Sequence, residues 1–589
     1  MNTFEKIITV NGRTFTLTSG SAPEKIDITP ISEANGIYEY KLSVAGATAP
    51  MVIKWSIHMQ GILSYWCPTA RRDRRIYQWY SSGRNASVSN LYSGAPVLAV
   101  IEQGELNRQT VALSDAVSTA KMSFSVNDFE EKENLDTLVY LFEDGIPESE
   151  YSVIIRIDDR KIPYYDAIGE VSKWWRQFYP CERTRTETGE YPLYSTWYNY
   201  HQHPNSESLL RELELAAKCG FKSLIIDDGW SYDGNGSGTY CDCGNWQFSK
   251  SKFPDFADFV RKCHNIGVKV ALWFPVPLVG YNTEDFKKYR NKMLYLSDGF
   301  EAGIIDPRYP EMRDYITDAY VNITRDYDLD GLKLDFIDSF KKRPDFTEVT
   351  DQPDDKDCET VEEGVMRLLD DIRTRLTSQK PDFMIEFRQN YVGPIMANAC
   401  NMLRVGDCPF EALNNRIGIG DLRLQNYDLA VHADMLVWSK DETLVDSAKM
   451  LLNIMFGTPQ ISVLLQESTA EQLQLIKNHV DYWYKNRAVI MRGHFKATDP
   501  DCLYSTMSSE SDEKRIAVSY TRNSYLYDGK QTDLFNATAS DVFYIDNDTV
   551  TGAKVTIRDC LGTVITEATL HAGVSKLTIP QGGMAEIGN

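Results

Sequence analysis

The stretch from Gly331 to Asp338 combines the pattern of a buried strand with charges that a protein core does not tolerate alone. Four of its side chains are apolar and favour burial, but Lys333 and Asp335 alternate with them. An ionised side chain loses its hydration on burial, so each of these charges needs a partner or a chemical role. The stretch is therefore the first candidate for an active site.

Two further stretches are built in the same way. Residues 221–230 form an apolar run that stops at the adjacent carboxylates Asp227 and Asp228, and residues 401–408 contain Asp407 after a short apolar segment. Charges that follow strands, in a chain where strands alternate with helices, are typical of the carboxyl-end face of a (β/α)8 barrel. We expect the chemistry to lie at that face.

A pair of carboxylates is the minimum equipment for glycoside hydrolysis, since one attacks the sugar carbon and the other protonates the leaving oxygen. Asp335 follows the fourth predicted strand and Asp407 the sixth, so the two side chains reach across one pocket. We predict Asp335 as the nucleophile and Asp407 as the acid/base. The alternative for Asp407 is that it only closes a turn after Gly406.

Two basic side chains stand close to these carboxylates. Lys333 precedes Asp335 by two residues, and side chains two apart on a strand share a face. An ammonium group there keeps Asp335 ionised and can donate to a sugar hydroxyl; the alternative is an ion pair that only fixes the strand end. Arg404, three residues before Asp407, is predicted to bind substrate or to tune that carboxyl group.

Several side chains near strand ends are candidates for holding a sugar. Adjacent carboxylates offer acceptors for vicinal hydroxyls, so Asp227 and Asp228 are predicted to bind the ring, with one of them as a structural cap as the alternative. Trp197, Trp230 and Trp273 each lie near a strand end and have the shape to stack on a pyranose. Tryptophans also serve packing, and the sequence leaves both roles open.

The order of predicted elements indicates a multidomain α/β plus β protein. Residues 1–165 consist of β-branched and aromatic segments between polar turns, which predicts an N-terminal β-sandwich. A helical linker at 166–190 precedes a central (β/α)8 TIM barrel at 191–492, and 493–589 form a small C-terminal β-sandwich. The predicted barrel strands are Leu193–Tyr198, a segment ending at Asp227, Val268–Phe274, Gly331–Asp335, Phe383–Arg388, Met402–Val405, Met435–Trp438 and Ile461–Leu465.

Composition excludes several classes of partner and site. Of 589 residues, 84 are acidic and 62 basic, and no basic run is concentrated enough to neutralise phosphates, so neither nucleic acid nor an anionic membrane is expected. The 11 scattered cysteines favour a reducing compartment, and no metal site is predicted, because Cys241 and Cys243 lack a second ligand pair. Without a visible signal peptide, the expected location is cytoplasmic, or periplasmic or secreted if a leader was removed.

Two motifs, Ile225-Ile-Asp-Asp-Gly-Trp230 and Gly331-Leu-Lys-Leu-Asp335, resemble the strand-two and strand-four motifs of the α-galactosidase-type glycoside hydrolases of clan D, families 36 and 27. The resemblance covers the barrel, and the flanking β-domains agree with family 36 architecture. It implies a retaining exo-glycoside hydrolase that cleaves terminal α-galactosides, or a closely related α-linked sugar, by double displacement. It implies no cofactor.

The resemblance also implies roles for individual residues. Asp335 takes the nucleophile position and Asp407 the acid/base position. Asp227 and Asp228 bind the axial-side hydroxyls of galactose, and Lys333 binds a neighbouring hydroxyl.

The sequence departs from the family pattern after strands five and six. Glu386-Phe-Arg388 replaces a Cys- and Gly-rich run, and Arg404-Val-Gly-Asp-Cys-Pro409 stands where a Ser-Asp pair is usual. These loops help to shape the sugar and leaving-group sites, so Glu386 and Arg388 are predicted to contact substrate. N-Acetylgalactosamine, arabinopyranose and other α-configured sugars stay open beside galactose.

Three other functions fit part of the pattern. A transglycosylase of the raffinose-synthase type shares the Asp-Asp-Gly-Trp signature, and a non-catalytic carbohydrate-binding barrel would keep Asp227, Asp228 and the tryptophans. A metal-dependent lyase or isomerase barrel would be sensitive to chelators. An oligosaccharide or glycoside is the expected partner, and a homo-oligomer is left open.

Overall fold

The computed structural model describes residues 4–76, 86–127, 133–147, 150–181, 185–232, 239–244, 246–388, 390–425, 427–550 and 552–588. Within these ranges no helix is long and apolar enough to cross a membrane.

The N-terminal part folds into two antiparallel sheets. Its strands are β1 Phe4–Val10, β2 Arg13–Ser19, β3 Lys25–Ala34, β4 Ile37–Ala45, β5 Met51–His58, β6 Ile62–Trp66, β7 Ala86–Ser89, β8 Val97–Glu102, β9 Leu106–Leu113, β10 Ala120–Asn127, β11 Asn134–Leu141 and β12 Tyr151–Asp158. The sheet orders are β1-β2-β5-β11-β10-β7 and β3-β4-β12-β9-β8-β6. Alternating residues such as Phe15 and Leu17 give each sheet an apolar face, and the two faces pack together as a sandwich.

Helix α1, Tyr164–Trp175, joins this sandwich to the rest of the chain. Its apolar residues recur at helical spacing, so that Ile168, Val171 and Trp175 share a buried face. The indole of Trp175 donates to the carbonyl of Leu113 at the end of β9, 2.8 Å away. The helix is therefore fixed to the sandwich by both packing and a hydrogen bond.

The central part alternates strands and helices. Its strands are β13 Leu193–Ser195, β14 Ser223–Ile226, β15 Lys269–Pro275, β16 Leu278–Gly280, β17 Met293–Ser297, β18 Ala302–Ile305, β19 Gly331–Asp335, β20 Phe346–Glu348, β21 Met384–Arg388, β22 Met402–Arg404, β23 Ala430–His432 and β24 Gln460–Ile461. Its helices are α2 Trp197–Tyr200, α3 Ser206–Lys218, α4 Phe256–Asn265, α5 Glu284–Tyr289, α6 Pro310–Tyr327, α7 Val361–Gln379, α8 Pro394–Ala399, α9 Ala412–Gln425, α10 Leu444–Asn453 and α11 Ala470–Arg492.

Eight of these strands form one parallel sheet in the order β23-β22-β21-β19-β15-β14-β13-β24. Parallel bridges from His432 to Thr458 and from Leu436 to Ile461 bring its two edges together. The sheet is thus nearly closed, and the predicted TIM barrel is confirmed. The remaining strands, β16, β17, β18 and β20, form a separate antiparallel sheet.

Some barrel strands differ from their predicted positions. The first ends at Ser195, because the chain turns into α2 with Trp197 as its first residue. The seventh is not Met435–Trp438 but Ala430–His432. The backbone of Asp434 bonds to the side chain of Asn415 instead of a neighbouring strand, which ends the ladder early.

The C-terminal part returns to antiparallel and mixed sheets. Its strands are β25 His494–Thr498, β26 Thr506–Glu510, β27 Lys514–Ser519, β28 Ser524–Tyr527, β29 Gln531–Asn536, β30 Val542–Asn547, β31 Ala553–Arg558, β32 Val564–Leu570, β33 Gly573–Thr578 and β34 Met584–Gly588. The two sheets share an apolar core. Their strand orders are β25-β26-β27-β29-β34-β31-β32 and β28-β30-β33. The predicted second sandwich is present.

The barrel interior is layered. Inward-facing apolar residues fill its amino end, namely Leu193, Ile225, Ala271, Met384, Met402 and Ala430. Side chains two residues further along a strand face inward again, one level nearer the carboxyl end. That next level contains Asp227, Lys333, Glu386, Arg404 and His432.

Asp330, directly before β19, ties neighbouring barrel strands together at their amino ends. Its carboxylate accepts hydrogen bonds from the backbone of Val270, from His264 at 2.7 Å and from Lys380 at 3.2 Å. Its own carbonyl accepts from the backbone of Met384. Burial acts to raise the pKa of Asp330, but these donors outweigh burial and hold the pKa well below its usual range.

Replacing this buried acceptor should destabilise the barrel. Because the pKa of Asp330 is depressed in the folded state, its contribution is present above the unfolded pKa of about 3.9 and is lost as the pH falls. We expect Asp330→Asn to lower the free energy of unfolding by about 2–3 kcal/mol at pH 7, measured by denaturant unfolding followed by tryptophan fluorescence. The difference should shrink as the pH is lowered below 4.

The exposed Asp382, just before β21, provides the control. Asp382→Asn should change stability by less than about 0.5 kcal/mol. Equal stability of Asp330→Asn and wild type at pH 7 would contradict the role given to Asp330.

Candidate active site

Asp335 is the last residue of β19, and its carboxylate lies at the floor of the carboxyl-end face. Oδ1 accepts hydrogen bonds from Arg388 Nε at 2.6 Å and from the backbone N–H of Phe336 at 2.7 Å, and Oδ2 accepts from Trp273 Nε1 at 3.1 Å. Burial acts to raise the pKa of Asp335, but the charges of Arg388 and Lys333 hold it well below its usual range. Asp335 is therefore ionised at neutral pH.

Lys333 shares the inward face with Asp335, as its spacing predicts, but its ammonium binds another carboxylate. Nζ lies 2.7 Å from Asp227 Oδ2, and both side chains are buried. The cation in direct contact with Asp335 is instead Arg388, from the end of β21. Lys333 acts on Asp335 through its charge alone. The sequence predicts that Lys333 keeps Asp335 ionised, and in the structure Lys333 and Arg388 do so together.

Arg404 connects the sixth strand to the site through ion pairs. Its guanidinium binds Asp407 Oδ1 at 2.8 Å, contacts Asp434, and lies 3.5 Å from Glu386 Oε1. The side chain has no exposed surface in the unliganded protein, so this geometry does not support the predicted contact of Arg404 with substrate, which stays a prediction. The alternative prediction, that Arg404 tunes Asp407, agrees with this geometry.

Asp434 is a site residue that sequence reasoning missed. Besides Arg404, its carboxylate accepts hydrogen bonds from the hydroxyl of Tyr198 and the backbone N–H of Cys408, both at 2.7 Å. It thereby fixes the loop that carries Asp407. The available signal was an acidic residue shortly after an apolar strand, since Asp434 follows Ala430–His432. The predicted seventh strand, Met435–Trp438, placed Asp434 before a strand instead.

Glu386 lies inside the barrel rather than in the pocket. Its Oε2 accepts a hydrogen bond from Gln460 Nε2 at 2.6 Å, and its Oε1 faces Arg404. Burial raises the pKa of Glu386, against the opposing charges of Arg404 and Lys333. The side chain is 1 % exposed, so the structure does not support the predicted contact between Glu386 and substrate, which stays a prediction. Arg388, two residues later on the same face, is the one that reaches Asp335.

Asp227 and Asp228 follow β14 directly, and both are buried. Asp228 accepts hydrogen bonds from Gln202 and from the hydroxyl of Tyr232, both at 2.7 Å, and burial raises its pKa to about 6. Gly229 has a φ of +100°, and a Cβ there would lie 2.5 Å from the backbone of Gln202, so only glycine fits. Each carboxylate retains lone pairs beyond these contacts, because an ionised carboxylate can accept about four hydrogen bonds.

The three predicted tryptophans have different environments. Trp230 is 1 % exposed, and its ring centroid lies 5.3 Å from that of Phe274, so packing is the role that this environment supports and stacking on a sugar stays a prediction. Its Nε1 donates to the backbone carbonyl of Trp273, and the indole Nε1 of Trp273 donates to Asp335, so these two indoles position the carboxylate. Trp197 is half-buried at the start of α2 and stays a candidate for stacking.

Asp407 differs from Asp335 in its surroundings. Its side chain is 54 % exposed and stands on the loop after β22. Desolvation by the site acts to raise its pKa, but the charges of Arg404 and Lys333 outweigh it, so the pKa of Asp407 is lowered. In the unliganded protein both carboxylates are therefore ionised, one at the floor of the site and one open to solvent.

Aromatic rings that sequence reasoning did not single out form one wall of the site. Tyr240 stacks on Trp273 with ring centroids 6.1 Å apart, and Phe336 meets Tyr240 edge-on at 5.0 Å. Tyr240 does not follow a barrel strand, and Phe336, which directly follows β19, is an apolar residue of that stretch for which the sequence predicts only burial. Tyr240 is partly exposed and adds a candidate stacking surface near Asp335.

The polar residues of this face do not point to a metal centre. Among the described residues, no group of three or more His, Cys, Asp or Glu side chains is arranged to hold an ion. His432 is buried between the carbonyl of Gly189 and Gln460, and burial lowers its pKa to about 4. Its two ring nitrogens are thus occupied by contacts within the barrel.

Sequence comparison relates the barrel to known proteins. Residues 162–390 match the Melibiase family model. Among curated proteins, α-galactosidase Mel36A of Lactobacillus acidophilus is 26 % identical over 205 residues, which covers 33 % of this chain and 26 % of that protein. The myogenesis-regulating glycosidase of Mus musculus is 24 % identical over 204 residues, or 32 % of this chain and 26 % of that protein. The chain spans about a quarter of the length of these relatives.

Solved structures extend the similarity to the whole fold. A variant of the family 36 α-galactosidase AgaA from Geobacillus stearothermophilus, in complex with raffinose, has a TM-score of 0.63 at 14 % identity. It covers 99 % of this chain, and this chain covers 83 % of it. An α-galactosidase from Lactobacillus brevis gives a TM-score of 0.62 at 13 % identity, with 98 % and 80 % coverage. Residues 162–390 are therefore similar to melibiase domains, and the chain has the fold of the family 36 α-galactosidase structures.

Proposed function

We propose that the chain is a retaining exo-glycoside hydrolase that releases terminal α-galactosyl residues, or a closely related α-linked sugar, by double displacement. The observation that carries the proposal is the unequal pair of carboxylates: Asp335 is buried and held ionised, and Asp407 is open to solvent. A nucleophile needs the first environment, and a residue that exchanges protons with the leaving group and with water needs the second.

The first step forms a bond between Asp335 and the anomeric carbon. Oδ2 accepts one hydrogen bond from the described residues and Oδ1 accepts two, so Oδ2 has the more available electron pair. As that bond forms, the glycosidic bond breaks, and its oxygen takes a proton from Asp407. This proton must be bound first, and excluding water from Asp407 when substrate binds raises its pKa in the required direction.

The second step reverses these roles. Water attacks the anomeric carbon while Asp407, now a carboxylate, takes its proton, and the bond to Asp335 breaks. Two inversions at one carbon return the α configuration. Arg388 and Trp273 hold the Asp335 carboxylate through both steps, since they bind it in the resting site.

Sugar binding is assigned to the remaining charges of the pocket. Asp227 and Asp228 accept hydrogen bonds from ring hydroxyls through their unused lone pairs, and Lys333 fixes Asp227 in place. The names of the relatives support galactose as the sugar, and raffinose and stachyose are bound in two AgaA variants. Arg388 lies in one of the two loops that depart from the family pattern and contacts Asp335 directly, so it is the first candidate for altered sugar selection.

The proposal is tested with nitrophenyl glycosides of α-galactose, α-N-acetylgalactosamine and α-arabinopyranose. We expect wild type to cleave one of them and to release the α anomer first, as observed by NMR. Asp335→Asn should lose at least about a thousandfold in kcat. Asp407→Asn should lose about a hundredfold or more with a sugar leaving group, and less with nitrophenol, which needs little protonation.

Asp338→Asn is the matched control, because Asp338 also follows β19 but lies 3.7 Å from Arg388 without a hydrogen bond to it. It should retain most activity. First release of the β anomer would contradict double displacement, and inactivity on every glycoside would favour the carbohydrate-binding barrel. Transfer products that dominate at high acceptor concentration would favour a transglycosylase.

The contact between Arg388 and Asp335 predicts a change in pH dependence. Asp335 must be ionised to attack, and the charge of Arg388 lowers its pKa. Without that charge the pKa of Asp335 rises, so Asp335 becomes protonated, and activity is lost, at a higher pH. We expect Arg388→Gln to move the acidic limb of kcat/KM upward by about one to two pH units. Arg388→Lys should move it less.

Arg343 provides the comparison, since its guanidinium packs on Phe300 and Phe346. Arg343→Gln should leave the acidic limb in place. An unchanged limb in Arg388→Gln would show that Arg388 does not control the ionisation of Asp335.

A further inference from the structure

Phe410 combines exposure with an unfavourable backbone conformation, three residues after Asp407. Its side chain is 70 % exposed and its φ is +59°, in the left-handed region that bulky side chains rarely adopt. The backbone N–H of Glu411 bonds to the carbonyl of Cys408 at 3.1 Å, which closes a turn with Pro409 in second place and Phe410 in third. A left-handed third position in such a turn ordinarily calls for glycine or asparagine.

The turn is clamped from both sides. On one side the N–H of Cys408 donates to the buried Asp434. On the other, Arg72 of the N-terminal sandwich donates to Glu411 and, at 2.7 Å, to Asn414. An exposed aromatic ring is thus kept in a strained conformation by contacts from two parts of the fold, although burial gains little there.

The loop that carries Arg72 is itself fixed to the barrel. Two residues later, the buried Arg74 binds Asp421 of α9 through Nη2 at 2.6 Å, and Tyr504 through Nη1 at 2.7 Å. One residue earlier, Arg71 donates to Asn390 after β21. The N-terminal sandwich therefore reaches the loops that follow the fifth and sixth barrel strands.

We propose that Phe410 is the platform for the leaving group, and that it stacks on the flat face of an aryl group or of a second sugar ring. This inference rests on the proposed function. Asp407 must lie within hydrogen-bond reach of the glycosidic oxygen, so the group attached to that oxygen lies beside the loop that carries both Asp407 and, three residues later, the exposed Phe410. Arg72 positions the platform by holding the residues that flank it.

The platform should matter only when a leaving group is present to stack on it. For wild type and Phe410→Ala, kcat/KM is measured with p-nitrophenyl α-galactoside, with raffinose and with α-galactosyl fluoride. We expect Phe410→Ala to lower kcat/KM about three- to tenfold for the first two, through KM, and to leave the fluoride unchanged. Phe410→Tyr should keep the wild-type kcat/KM on all three substrates, and Arg72→Ala should show part of the loss seen for Phe410→Ala.

Backbone strain provides a second, independent readout. Asparagine tolerates a positive φ, so Phe410→Asn should melt at or above the wild-type temperature while showing the same loss on the aryl glycoside and raffinose. Leu526→Ala, which removes an exposed apolar side chain from the C-terminal sandwich, is the control and should change neither property.

Several results would overturn the inference. An equal loss on all three substrates would give Phe410 a general structural role, and no loss on any would remove its role altogether. A change of oligomeric state in Phe410→Ala with unchanged substrate ratios would mean that a second copy of the chain covers this ring. If wild type cleaves another α-glycoside, the same leaving-group comparison applies to that sugar; if it cleaves none, the proposed function fails and this inference fails with it.

Discussion

Lys333 and Asp227 place a positive and a negative charge 2.7 Å apart inside the barrel, where both side chains are almost fully buried. Burial of either charge alone would cost several kcal/mol, so the two side chains fix each other and with them the ends of β14 and β19. The next charges follow the same constraint: Arg404 is held by Asp407, Asp434 and Glu386. The apolar layer at the amino end supports this charged level, and the pocket opens above it.

This constraint separates the two carboxylates that the chemistry requires. Asp335 lies one level above Lys333 on the same strand face and gains Arg388 and the charge of Lys333, which keep it ionised despite burial. Asp407 stands on a loop above that level and meets solvent. Because Asp434 holds both Arg404 and the backbone of Cys408, the loop of Asp407 is tied to the same network as the nucleophile. A substitution within this ion-pair network therefore alters the surroundings of both Asp335 and Asp407.

The parts of this account that follow from local sequence were predictable. Alternation of apolar runs and charges located the barrel and placed Asp335, Asp407, Asp227 and Asp228 at its carboxyl-end face. Partners that come from distant segments were not predictable, because spacing along one strand says which face a side chain shares, not which neighbour it meets. The pairing of Lys333 with Asp227 crosses strands, as does that of Arg388 with Asp335.

Burial was the other property that spacing could not give. Trp230, Glu386 and Arg404 stand near strand ends in the sequence, yet each points into the barrel or its packing and has almost no surface. The seventh strand was misplaced because Met435–Trp438 is as apolar as a strand, while the ladder ends before it, where the backbone of Asp434 bonds to the side chain of Asn415. The clamp of Arg72 on the turn of Phe410 joins residues more than three hundred apart and leaves no local signal.

The central claim is that Asp335 forms a covalent bond to the sugar. The most direct test is to incubate the protein with 5-fluoro-α-galactosyl fluoride, whose good leaving group and slowed second step allow the intermediate to accumulate, and to measure intact mass and peptide masses. The account predicts one added fluorogalactosyl group, on the peptide that contains Asp335. A label on Asp407 or on any other carboxylate, or turnover of the reagent with no adduct at any time, would contradict it.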